Sequence, residues 1–205
     1  MKLYFSLTSP FARKVRLTLL ELKIDNVTPV VINPWTDTEL RNLNPLSQVP
    51  TLLLDDDTVL YDSAVICEYL NELAGGDIVP RGGAERWNTL RQQALADGLA
   101  EATVRCFLQL KRPAQERQQD VVDRQQQAID AALHAFEDEP LPLPAALPGT
   151  EDVPLIGELA LASALGYLDL RMPQKEWRNG HPALAEWFEV FSRRPSMRET
   201  EPPRT

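Results

Sequence analysis

Two cysteines and two histidines among 205 residues leave little material for disulfide or metal chemistry. Cys67 and Cys106 lack a CxxC spacing and fall in separate helical stretches, so they read as buried, inert thiols. His134 and His181 are far apart in the sequence and form no HxxxH or HExxH pattern, which leaves a metal site without support. There is no strong basic run either. Asp and Glu number 30 against 21 Lys and Arg, a net charge of -9, so a nucleic acid would be repelled at long range and is not an expected partner. No window approaches the roughly 18 apolar residues of a membrane span, and the N-terminal apolar stretch is too short for a signal peptide. The expected setting is cytoplasmic, with no membrane partner.

What remains is the composition of an ordinary soluble protein, 43% hydrophobic and 25% charged. The length suits one large domain or two modest ones. Residues 2–7 are rich in strand formers and run into Ser9-Pro10, a good helix start with Ser9 as N-cap and Pro10 in the first helical position. Phe11, Val15, Leu19 and Leu22 then recur at helical spacing, and a second strand follows at 27–32. Strand, helix and strand over this span predict a parallel βαβ unit. A short helix at 36–42 and an antiparallel pair of strands around the Asp55-Asp56-Asp57 turn come next. A helix from Asp62 to about Ala74 completes the order βαβαββα, that of a thioredoxin-like domain.

Glycines and a proline punctuate residues 75–83, and everything beyond reads as helical. The expected division is a domain at 1–77, a linker at 78–84 and an all-α domain at 85–205. The long helix at 84–111 carries Ala94, Gly98, Ala102 and Cys106 at steps of four, a row that suits close helix packing inside a bundle or at a subunit interface. A polar helix covers 113–137, a proline-rich run follows at 140–154, and 155–171 is apolar on nearly every face up to Tyr167, as befits the middle of a bundle. A last helix at 182–194 ends in two arginines, and 199–205 reads as a loosely held tail.

The stretch 44–70 has the makings of a site for a small peptide-like ligand. Val49-Pro50 stands where a strand begins, and a proline there removes a donor and can leave neighbouring backbone unpaired. Asp62-Ser63 opens a helix whose free amides suit the charged end of an amino acid. Across the sheet, Arg13, Lys14 and Arg16 crowd the start of the first helix, a place for an anion unless these side chains turn outward to acids such as Glu21 or Asp25. Ser9 is a cap and also a hydroxyl donor able to hold a thiolate. A free thiol titrates near pH 8.5, so such a donor would raise the reactive fraction at neutral pH. No Ser-His-Asp set suggests that Ser9 is itself a nucleophile.

Three motifs in order, SPFARKVR at 9–16, NPLSQVPTL at 44–52 and DSAVICEYL at 62–70, are followed by a glycine-proline linker and a helical half. Together they resemble the cytosolic glutathione S-transferases, and the small bacterial members above all. The likeness spans essentially the whole chain. It implies that Ser9 contacts the sulfur of bound glutathione, the co-substrate, and that the Val49 backbone before a cis Pro50 pairs with the cysteinyl part. Gln48 would lie near the peptide, with Asp62 and Ser63 on the γ-glutamyl head. An electrophile pocket would lie between the domains, with Phe11, Trp35, Arg105 and Phe107 as candidate walls. Asp97 resembles the polar residue that some members contribute across a homodimer.

The implied activity is a glutathione transferase that presents the thiolate to a small hydrophobic electrophile or an organic peroxide. Serine in place of cysteine at position 9 disfavours the thiol-transfer chemistry of some members, because it cannot form a mixed disulfide with glutathione. A second departure lies in the apolar helix. Where the family places a Ser/Thr-x-x-Asp capping box, this chain has Leu155 and Glu158, which leaves Asp152 as a possible cap or a loss of roughly 1 kcal/mol. The competing class is an adaptor protein like the stringent starvation protein, which keeps the fold without glutathione chemistry. Intact Gln48, Pro50, Asp62 and Ser63 weigh against it.

Overall fold

Strand-forming residues at the N-terminus give β1 at Lys2–Phe5, and the computed structural model, which describes residues 1–76, 78–144 and 153–203, builds a sheet around it. The sheet continues with β2 at Thr28–Val31, β3 at Thr51–Leu53 and β4 at Val59–Leu60. β1 pairs parallel with β2, while β1–β3 and β3–β4 are antiparallel, in the order β2-β1-β3-β4. The parallel pair is joined by α1 at Pro10–Glu21, as a βαβ unit requires. The helix between β2 and β3, α2 at Leu40–Leu43, is a single turn and starts later than the sequence suggests. α3 runs Ser63–Ala74 and stops at Gly75, whose φ of 60° lies in the left-handed region that glycine enters without a Cβ penalty.

The helical half contains α4 at Gly83–Leu110, α5 at Gln119–Asp138, α6 at Ile156–Arg171, α7 at Pro182–Phe191 and α8 at Pro195–Glu199. The polar stretch expected as one helix from 113 is broken, because a short 3-10 turn at Ala114–Glu116 precedes α5. The last helix expected to Arg194 ends at Phe191, and a further short helix, α8, opens on Pro195 beyond it. α6 is the centre, buried on eleven of its residues, and lies parallel to α4. Gly157 of α6 sits against Thr89 and Gln92, while Arg171 at the other end lies over Phe107. A Cβ at Gly157 would come within 2.8 Å of Gln92 Cβ, so glycine permits the approach. The small-residue row of α4 is not one seam: Ala102 and Cys106 are buried, but Ala94 and Gly98 face solvent. No helix among the described residues is long and apolar enough to cross a membrane.

The start of α6 has its hydroxyl after all, from another helix. Thr89 Oγ1 accepts from Gly157 N–H at 3.1 Å, Ile78 O accepts from Ile156 N–H at 2.8 Å, and Glu158 Oε2 accepts from Leu155 N–H at 2.7 Å. Asp152, the other candidate cap, lies outside the described residues. Thr89 is fully buried, so Thr89→Val strands a buried amide and should lower stability by about 1–3 kcal/mol. Urea unfolding checks this; Thr89→Ser should hold its midpoint, and an unchanged midpoint for the valine variant would refute the role.

α1 is wedged between the sheet and the helical half, which decides the fate of its charges. Its buried residues are Pro10, Ala12, Arg13, Lys14, Val15, Leu17 and Thr18, on more than the single stripe that the apolar spacing marks. The residues after α8 are held: Thr200 is 1% exposed, and its hydroxyl accepts from Arg13 Nε at 3.3 Å and donates to Ser196 O at 2.8 Å. The expectation of a loose tail from Glu199 is therefore corrected as far as Thr200.

Candidate functional site

β1 and β3 run antiparallel with Tyr4 opposite Thr51, so the end of β1 that leads to Ser9 lies beside the residues that precede β3. The β3–β4 register, Leu52 opposite Leu60, sets Pro50 beside Asp62 when carried past the strand ends. Ser9, Val49-Pro50 and Asp62-Ser63 therefore gather at one end of the sheet. The Val49–Pro50 peptide bond is cis. β3 is not an edge strand, since β1 and β4 flank it. Only the residues ahead of it are open, and among the described residues the Val49 amide and carbonyl have no partner.

This loop is held from beneath by Asn44, which is 1% exposed. Its Nδ2 donates to Gln48 O and to Thr51 Oγ1, both at 3.0 Å, and its Oδ1 accepts from Leu46 N–H at 3.0 Å. The backbone of Gln48 is thereby committed, while its side chain is exposed. Asp62 caps α3 by accepting from Ala64 N–H at 3.0 Å. Ser63 is buried, yet its hydroxyl has no protein partner among the described residues. Ser9 Oγ accepts from Ala12 N–H at 3.2 Å, which uses a lone pair and leaves its own hydrogen without a protein acceptor.

The cations of α1 do not form the anion site that their crowding suggests. Lys14, fully buried, places Nζ 2.8 and 2.7 Å from the two Asp97 oxygens. Burial pushes the Asp97 carboxyl up, and the Lys14 charge pulls it back. Asp97 is thus paired within its own chain, with its side chain 29% exposed. Arg13 donates to Met197 O at 2.9 Å and to Thr200, and burial lowers its pKa. Arg16 lies over the Phe5 ring at 5.0 Å. Glu21, offered by the sequence as a partner for these cations, instead binds Arg194 at 2.7 Å. Cys67 is fully buried beside Thr18, and burial raises its thiol to about 11, as expected of an inert cysteine. The two histidines, distant in sequence, meet edge to face at 4.6 Å.

Beside Ser9 is a small hollow lined by Leu7, Thr8, Arg13, Ser163, Tyr167 and Pro202, among others. None of the four candidate pocket walls lines it. Trp35 is 78% exposed, Arg105 is exposed and pairs with Glu101 along α4, and Phe11 packs against the core. Phe107 lies further out, with Arg171 and Lys111 over its ring at 4.7 and 4.8 Å. Sequence reasoning missed Ser163, Tyr167 and Arg171, although one signal was available: they recur at steps of four, a polar row on an otherwise apolar helix. Burial raises the Tyr167 phenol, while the charge of Arg171 and a hydrogen bond from it act in the other direction. A larger cleft of about 510 Å³, between Arg13, Asp169, Ser192 and Arg198, contains none of the residues expected to touch glutathione.

Residues 8–73 match the family described as glutathione S-transferase, N-terminal domain, and residues 119–189 match its C-terminal domain. The uncharacterized GST-like protein YibF of Escherichia coli K12 is 32% identical over 210 residues, which span 100% of both chains. A glutathione transferase family member from Pseudomonas fluorescens Pf-5, solved with bound glutathione, is 38% identical with a TM-score of 0.88, covering 98% of each chain. The same protein was also solved with S-(propanoic acid)-glutathione. A stringent starvation protein A homologue from Histophilus somni is 35% identical, over 35% of this chain and 34% of its own length.

Proposed function

Because this chain belongs to the glutathione S-transferase family, we propose that it binds glutathione at the sheet end and ionises its thiol against Ser9. One observation carries this: the Ser9 hydroxyl keeps an unclaimed hydrogen at the N-terminus of α1, at the same end of the sheet as the unpaired Val49 peptide and the Asp62-Ser63 cap. In this reading the Val49 amide and carbonyl pair with the cysteinyl residue, Gln48 flanks the peptide, and Asp62 with Ser63 holds the γ-glutamyl head. Pro50 turns the backbone toward the ligand. The sulfur then sits at a helix N-terminus, where free amides and the dipole favour its anion. Glutathione bound to the Pseudomonas relative supports the same placement here.

The chemistry proposed is nucleophilic. Thiolate attack on an electrophilic carbon forms a thioether and expels a leaving group or adds across a polarised double bond. With an organic peroxide, attack on oxygen breaks the O–O bond, releases the alcohol and leaves glutathione as its sulfenic acid, which a second glutathione converts to the disulfide with loss of water. Phe107 is the candidate wall that faces the second substrate. The protein is read as a cytoplasmic homodimer, with the two domains of each subunit joined by the linker at 78–84; exposed Leu46, Val65 and Trp87 offer apolar contact surface, and Asp97 keeps an open side toward a second subunit. The adaptor reading rests on a relative matched over about a third of this chain.

Calorimetric titration with glutathione tests the first step. Saturable binding is expected, about tenfold weaker in Asp62→Asn, which keeps the helix cap but removes the charge offered to the γ-glutamyl amine. If the unmodified protein shows no saturable heat, the reading is lost.

A further inference from the structure

Resting on the glutathione-binding reading above, we propose that the second substrate is an acid: an electrophile whose carboxylate is received by Arg171 and Lys111. Both cations lie within 5 Å of the centre of one ring, Phe107, so their charges are within about 10 Å of each other. Arg171 also lies 5.7 Å from the centre of the Tyr167 ring, and Tyr167 lines the hollow beside Ser9. The cations are thus one tyrosine ring removed from the place where the sulfur is ionised. Phe107 comes from α4, Tyr167 and Arg171 come from α6, and Lys111 is the residue that follows α4.

The plain alternative is that each cation merely complements the negative end of its own helix, since Lys111 follows α4 and Arg171 ends α6. That role needs neither convergence on one ring nor burial. Arg171 Nε is buried with no acceptor, and neither cation has a carboxylate within ion-pair distance among the described residues. Lys111 is exposed and Arg171 is half-buried. Neighbouring Lys175, by contrast, is paired with Asp130 at 2.6 Å. A bound carboxylate supplies the missing acceptor, and a planar guanidinium held between rings is pre-organised to receive it. A purely hydrophobic electrophile, the expectation from family resemblance, leaves Arg171 Nε without an acceptor and Lys111 without an acid.

The test compares two glutathione thioethers by calorimetry, S-(2-carboxyethyl)glutathione and the neutral S-propylglutathione, which differ chiefly at the charged end. The acid is expected to bind at least about tenfold more tightly, as a hydrogen bond between charged groups allows. The advantage should shrink in Arg171→Gln and in Lys111→Gln, and it should vanish in the double variant. S-propylglutathione reports whether those variants keep a folded site, with a change below about threefold expected for a contact to the acid alone. Equal binding of the two thioethers, or a preference that survives in the double variant, overturns the proposal while leaving glutathione binding intact. Loss of all binding, glutathione included, overturns both.

Discussion

On the proposed reading, replacing Ser9 with glycine is expected to raise the pKa of the bound glutathione thiol by about one to two units, and with it to lower kcat/KM at neutral pH by about ten- to a hundredfold. Glycine is the informative substitution because Ser9 has two tasks. As the N-cap it accepts from Ala12 N–H at 3.2 Å, and glycine replaces serine there at a cost of only a few tenths of a kcal/mol. The hydroxyl donor is lost outright. A raised thiol pKa starves the reaction of thiolate below that pKa, so the deficit should be largest at low pH and narrow as the solution becomes alkaline. Ultraviolet titration of the thiolate in the complex measures the shift directly. Ser9→Thr, which keeps a hydroxyl, should titrate near the parent; coincident curves for the glycine variant and the parent would remove Ser9 from the mechanism.

Asp97→Ala is the second substitution with a large expected effect, and it acts on stability. The Lys14 ammonium is held between both Asp97 oxygens and is fully enclosed, so removing the carboxylate leaves a buried charge without its partner. Such losses run at about 3–5 kcal/mol. The 29% exposure of the Asp97 side chain gives water some access and points to the lower end of that range. Lys14→Met should cost less, because it leaves the more accessible member behind, and Lys14→Met with Asp97→Leu should recover most of the loss by replacing the pair with apolar packing. Urea unfolding of the singles and the double gives the coupling. Additive losses would show that the pair does not tie α1 to α4.

What could be read along the chain were features that depend on neighbours in sequence. Ser9-Pro10 announces a helix start because a hydroxyl before a proline satisfies and pre-sets the first turn. Asp62 does the same for α3, and the spacing of strand, helix and strand dictates a parallel pair. The three motifs sufficed for the family, and through it for the candidate glutathione contacts. Their placement at one sheet end follows from strand register alone.

Side-chain partners were a different matter. Arg13, Lys14 and Arg16 occupy consecutive turns of a helix start and look alike in one dimension. Their directions were set by α1 lying between two layers, so that Lys14 meets Asp97 and Arg13 meets the backbone after α7, both far away in sequence. Thr89 serves as the cap of α6 although 68 residues separate it from Gly157. The polar row of Ser163, Tyr167 and Arg171 acquires meaning only when α4 and α1 are laid against it. The sequence by itself determined the two halves, their helix starts and the family to which the chain belongs, because caps, periodicity and motifs are local. Tertiary structure alone decided which cations were consumed in joining the halves and which were left facing Phe107, because charge pairing depends on distance through space.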